Sequence, residues 1–303
     1  MAEIIQRDGT WAFDGTTVRI TPGLHRSVPL FRQTYGEVAV PLRAIAGIAL
    51  EPERKRGRLR LRLREGADPL LHATGGRLPD NADPYRLLVD GDRAGVADYL
   101  ADEIRQALLL EEVPSAPTTG YLLTGPQVPV SVRSSDGTVS FDGTRARIDW
   151  SETSDRVKRA TGPRIIELGD LVGVEWLPNS GYENGFLRFL TRETALSKLP
   201  PEKDPYTLDL WGSARRDLLT ALVATAVMAR LPHPSTRVGE LTANGMRTGP
   251  EPADRVPVPA PEPVAENHDV LLRRLRELGE LHREGVLTDE EFTETKRAVL
   301  RGF

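Results

Sequence analysis

The sequence predicts an α+β chain in three parts: two tandem β-barrels, each capped by a C-terminal helix, and a short helical hairpin on a proline-rich tether. Three observations predict it. A set of landmarks recurs in the same order downstream, the first at an offset of 128 residues, each copy reads as short strands followed by one helical segment, and the composition changes sharply after Leu231.

The length of 303 residues, set against the roughly 100–200 residues usual for one domain, gives room for two domains with accessories. Hydrophobic residues at 39% and charged residues at 28% are ordinary for a folded soluble chain. A net charge of −4 and a pI near 5.9 give no global reason to expect a nucleic-acid or anionic-membrane partner. No cysteine is present, which excludes disulfides, thiolate metal sites and a cysteine nucleophile. The N-terminus has neither the basic region nor the apolar stretch of a secretory signal, and no apolar run approaches the roughly 18 residues of a membrane span. The expected localisation is cytoplasmic.

The repeat is read directly from the residues. Asp8-Gly9-Thr10 and Phe13-Asp14-Gly15-Thr16 return as Asp136-Gly137-Thr138 and Phe141-Asp142-Gly143-Thr144, followed by Arg19 with Ile20 and by Arg147 with Ile148. Ile45-Ala46-Gly47-Ile48 matches Leu171-Val172-Gly173-Val174, Gly57-Arg58-Leu59-Arg60 matches Gly185-Phe186-Leu187-Arg188, and Asp83-Pro84-Tyr85 matches Asp204-Pro205-Tyr206. The Asp-Gly pairs are turn formers, because glycine and, to a lesser degree, aspartate accept the positive φ of tight hairpins.

In the first copy the strand candidates are 10–13, 16–21, 37–42, 45–50, 58–64, 69–73 and 86–90, each bounded by Gly, Pro, Asp or Asn. A helix follows at 92–110, where Val96, Tyr99, Leu100, Ile104, Ala107 and Leu108 recur at helical spacing. The second copy ends at 213–231 in an alanine-rich stretch that reads as the more deeply packed helix. The expected boundaries are 1–110 for the first repeat, 111–127 for a linker and 128–232 for the second repeat.

Seven short strands capped by one helix is the layout of a pleckstrin-homology-like barrel, with a lipocalin-like barrel as the alternative. The landmarks over 8–231 resemble those of the actinobacterial domain-of-unknown-function family 4429, whose members look like tandem pleckstrin-homology-like units. The resemblance implies no catalytic residues.

From Pro232 to Pro263 lie eight of the 24 prolines. Alternating proline favours an extended spacer, so 233–268 is expected to be a disordered tether. Beyond it, 269–303 reads as a helical hairpin. Leu271, Leu275 and Leu278 form a stripe, Gly285 suits a helix end, and Thr288 with Glu291 forms a capping box for a helix bearing Phe292, Val299 and Leu300. The string Gly285-Val286-Leu287-Thr288 with Phe292 and Lys296 resembles the SHOCT module, a short C-terminal domain of bacterial proteins. That resemblance implies oligomerisation or docking through Leu271, Leu275, Leu278, Leu287, Phe292, Val299 and Leu300. A module of this size has too little core to stand alone in any case.

The sequence offers no catalytic constellation. His25, His72, His233, His268 and His282 lack the short spacings of a metal site, and no Walker loop, nucleophile elbow or His-Glu-x-x-His is present. The expectation is therefore a non-enzymatic protein without cofactor or metal. One stretch stands out electrostatically, with Arg54, Lys55, Arg56, Arg58, Arg60, Arg62 and Arg64 in eleven positions. On a strand, Arg58, Arg60, Arg62 and Arg64 share one face and the intervening leucines the other. Such a face either holds phosphates or an acidic partner through bidentate guanidinium contacts, or guards an edge strand against aggregation. The expected function is a binding scaffold whose tandem modules self-associate or dock through the hairpin. The alternative is recruitment to anionic lipid or nucleic acid through residues 54–64.

Overall fold

Alternation begins at the first residues of the chain: Ala2 and Ile4 turn inward and Glu3 and Ile5 outward, forming β1 (Ala2–Gln6). The sequence patterns place the first strand only at 10–13, so β1 is an addition. The remaining elements of the first half are β2 (Gly9–Phe13), β3 (Thr17–Pro22), α1 (Leu30–Tyr35), β4 (Val38–Pro41), β5 (Ile45–Pro52), β6 (Arg56–Leu63), α2 (Pro69–Thr74), β7 (Arg86–Asp90) and α3 (Ala94–Leu110). The second half runs β8 (Val130–Arg133), β9 (Gly137–Phe141), β10 (Arg145–Trp150), α4 (Arg156–Ala160), β11 (Arg164–Glu167), β12 (Leu171–Leu177), β13 (Gly185–Thr191), β14 (Thr207–Leu210), α5 (Ala214–Asp217) and α6 (Thr220–Met228), the same strand order with no counterpart of α2 among the described residues.

This computed structural model describes residues 1–52, 56–181, 183–194 and 199–236. Arg54, Lys55 and the C-terminal hairpin with all its predicted contact leucines lie outside the described residues.

The repeated turn chemistry is built as the sequence implies. Asp14 Oδ1 accepts from the backbone N–H groups of Thr16 and Thr17, and Asp142 Oδ1 accepts from those of Thr144 and Arg145. Gly15 and Gly143 take the matching left-handed φ of +103° and +108°. Both halves also break register at one place, between Ile45 and Gly47 and between Leu171 and Gly173.

Residues 69–73, expected as a strand, form the helix α2 instead. Asp68 caps it by accepting from Leu70 N and Leu71 N, Pro69 occupies its first turn, and Gly75 ends it at φ +56°. The helix expected at 213–231 is divided into α5 and α6 by Leu218 and Leu219.

The expected barrels are not closed. Each half holds two separate antiparallel sheets, β1-β2-β3-β4 with β5-β6-β7, and β8-β9-β10-β11 with β12-β13-β14. Side chains take the place of a ladder at the seam between β1 and β7. Leu88 N donates to Asp8 Oδ2 at 3.2 Å and Asp90 N to Gln6 Oε1 at 3.2 Å. In the second half Asp209 N donates to Asp136 Oδ2 at 2.9 Å. Edge N–H groups satisfied this way have no need of a backbone partner.

The two terminal helices are buried differently. In α3 only Ala97, Leu100, Ala101 and Ile104 are buried, against β1, β5 and β7, and Tyr99, Leu109 and Leu110 are exposed. All nine residues of α6 are buried, because one flank covers β8, β9, β12 and β13 and another meets α2 of the first half. A Cβ on Gly125, in the segment joining the halves, would lie 2.7 Å from Ala229 Cβ just beyond α6. That segment is tied down as well: Thr118 N donates to Glu65 O, and Leu122 N and Leu123 N to Ala67 O. The chain is still held at the expected start of the tether, where His233 Nε2 lies 3.0 Å from Gly66 O and Ser235 Oγ donates to Thr119 O.

Candidate functional site

Strand β6 alternates as expected, with Leu59 and Leu61 buried and arginines on the opposite face. The structure then gives those arginines different tasks. Arg56 Nε lies 3.0 Å from Asp90 Oδ1, Arg58 Nη1 3.7 Å from Glu51 Oε2, and Arg60 Nη2 3.7 Å from Asp80 Oδ1. Arg62 is exposed beside Gly47. Arg64 turns back to donate through Nε and Nη2 to Ala116 O and through Nη1 to Arg43 O, clasping the segment between the halves. The five described members of the basic stretch therefore differ in their surroundings. Arg64 is an internal brace, and Arg56, Arg58 and Arg60 carry acidic neighbours.

The same sheet gathers two further arginines that the sequence reading passed over. Arg86 pairs with Arg60 across β6 and β7 and so joins the arginine face. Arg32 reaches the same place from α1, 24 residues after the turn aspartate, donating Nη1 to Asp8 Oδ2 at 2.8 Å and Nη2 to Asp8 O at 3.3 Å. With Arg58 they line a cavity of about 270 Å³ at the seam of the first half, together with Asp8, Asp80, Pro29 and Leu88. Arg32 is 3% exposed and Arg86 5%. Arg86 forms an ion pair with Asp80 Oδ1, whose own side chain is 73% exposed. The Arg86 bond, with Arg60 and Arg58 nearby, holds the Asp80 carboxyl below the ordinary carboxylate range.

The second half shows what this site is by contrast. The cation at the place of Arg32 is Lys158, 22 residues after its turn aspartate, fully buried with Nζ 2.6 Å from Asp136 Oδ2 and 5.1 Å from the Trp150 ring centre. At the places of Arg58, Arg86 and Leu88 stand Phe186, Thr207 and Asp209, in the same strand register. Three guanidinium groups face two carboxylates in the first seam, and one ammonium faces two carboxylates in the second. Burial raises the pKa of Asp209, which fits a crevice with too few cations. Comparing the two copies position by position was the signal available for Arg32 and Arg86.

A second cavity, of about 400 Å³, lies where α2, the joining segment and residues 233–235 meet. Tyr121 joins two of its lining histidines, its Oη 2.5 Å from His72 Nδ1 and its ring edge-on to His233 at 4.8 Å. Among the described residues no group of three or more His, Asp or Glu side chains is arranged for a metal ion, and no helix is long and apolar enough to cross a membrane.

Fold and site together define a duplicated two-sheet protein in which one copy carries an arginine-rich seam and the other a seam with a single lysine. The sequence pattern of the family described as Domain of unknown function (DUF4429) matches residues 11–105 and again residues 139–228, more than half of the chain. The chain belongs to that family, with two copies in tandem. No curated protein matches it.

Proposed function

We propose that this chain is a non-enzymatic cytoplasmic binding scaffold: two pleckstrin-homology-like modules held as one body, multiplied by self-association or docking through the SHOCT-like hairpin. The observation that supports the reading is the complete burial of α6, which packs on the sheets of its own half and on α2 of the first. Linked modules gain apparent affinity through effective concentration, and association through a tethered tail multiplies the copies presented.

Light scattering on the full chain and on a variant lacking 264–303 tests it. The scaffold reading expects a multiple of the 33.4 kDa chain mass for the full protein and the single mass for the variant. A monomeric mass for both proteins would remove self-association. The cationic seam favours a second reading, recruitment of the first half to an anionic ligand, since the seam of the second half lacks the same arginines.

A further inference from the structure

We infer that the seam cavity of the first half is a binding site for a phosphate monoester, held by Arg32, Arg58 and Arg86, with Asp80 occupying Arg86 until the ligand displaces it. The inference deepens the second reading above, and it names the residues and the ligand chemistry.

Burying a guanidinium is costly unless it is paired, so buried arginines around an open cavity require an explanation. A purely structural need is met in the second half by Lys158 alone, whose Nζ contacts Asp136 and faces the Trp150 ring. Arginine in the equivalent place donates twice to Asp8 and keeps Nε without a partner among the described residues. Arg86 replaces a threonine whose hydroxyl, in the second half, lies within hydrogen-bond distance of Arg188 and Asp204. The first copy thus has guanidinium groups beyond what the shared architecture uses.

Asp80 marks where the ligand's charge belongs. Its side chain is 73% exposed and forms ion pairs with both Arg86 and Arg60. A carboxylate on a solvent-facing loop is a monoanion that competes weakly. A phosphate monoester brings nearly two charges and three acceptor oxygens, which suit several converging guanidinium forks. The cavity volume of about 270 Å³ lies just below the range of pockets for drug-sized ligands, so it admits a phosphoryl group with a short substituent. Pro29 and Leu88 supply an apolar wall for that substituent. A cavity of this size does not track a nucleic-acid backbone, which needs a continuous groove.

Calorimetric titration of the full chain with inorganic phosphate and with glycerol 3-phosphate tests the site, in parallel with sedimentation on phosphatidylcholine vesicles doped with phosphatidic acid. Saturable binding of either soluble probe supports the site with a soluble source. Binding confined to phosphatidic acid vesicles, and absent with phosphatidylserine at equal charge, supports it with a lipid source. Arg58→Phe and Arg86→Thr, which install the residues of the second half, are expected to weaken binding at least tenfold. Asp80→Asn, which leaves the arginines in place, is expected to tighten it several-fold. Binding by none of the three probes, or binding indifferent to Asp80→Asn and to both arginine variants, overturns the inference. The native mass measured on removing 264–303 does not depend on this cavity, so the two readings fail separately.

Discussion

Lys158 Nζ lies 2.6 Å from Asp136 Oδ2 with both side chains almost wholly buried, and the same carboxylate oxygen accepts Asp209 N across the seam of its half. One aspartate thus closes a turn, neutralises a cation and ties two sheets together. Removing the cation by Lys158→Met leaves that carboxylate buried without its charge partner, an outcome that costs about 3–5 kcal/mol. Adding Asp136→Asn restores part of the loss, because the amide oxygen still accepts Asp209 N. Urea unfolding of the two variants reads both numbers. A single-variant loss below about 1 kcal/mol would show that the pair does not hold the seam.

Contact between the halves has its own probe at Gly125. A methyl group there meets Ala229 Cβ at 2.7 Å and Thr225 O at 3.3 Å, so Gly125→Ala forces the joining segment off α6. The expected loss is about 1–3 kcal/mol, the usual cost of overpacking. Ala229→Gly in the same chain removes the nearest obstacle and should return most of it in thermal melts. Additive losses would argue against direct contact.

Burial pushes Asp68 up to about 6, even though Leu70 N, Tyr85 Oη and Leu71 N all donate to it. Its folded value lies above its ordinary 3.8, so the folded state takes a proton that the unfolded state leaves in solution between about pH 4 and 6. This group therefore adds stability as the pH falls through 6 and loses it as the pH rises. Relative to Asp68→Asn, the natural chain should gain up to about 3 kcal/mol between pH 7 and pH 4 in urea unfolding. A stability difference that stays constant over that range would contradict the assignment.

Arg64 separates bracing from binding. Arg64→Ala removes the donors to Ala116 O and Arg43 O and should cost at most about 2 kcal/mol, since the bonds are reachable by water. Phosphate affinity should be unchanged in the same variant. A parallel loss of affinity would place Arg64 in the seam.

Much of the architecture is legible in local chemistry. The Asp-Gly turns, the Arg/Leu alternation of β6 and the apolar run of α6 each depend on neighbours a few positions away, and each is formed as its residues imply. Errors arise where a short apolar run admits two readings. Leu70-Leu71 suits strand or helix, and the deciding signal was the flanking Asp68-Pro69 cap with Gly75. The candidate site was legible only in part, because the residues that complete it are distant in the chain. Asp8 meets Leu88 across 80 positions and Arg32 across 24, and no periodicity encodes such pairs. The open seam follows the same logic, since side chains of Gln6 and Asp8 cover edge groups that a strand count assigns to a closing ladder.

The helix that covers α2 belongs to the other copy, and this changes what the gene can gain or lose. Leu70 and Ala73 are buried in a face that α6 covers, so a chain stopping at residue 110 would leave that face bare and sticky. A third copy would find no uncovered α2 in the first half to dock on. The smallest unit that covers this face is the pair, since α2 of the first copy is closed by α6 of the second.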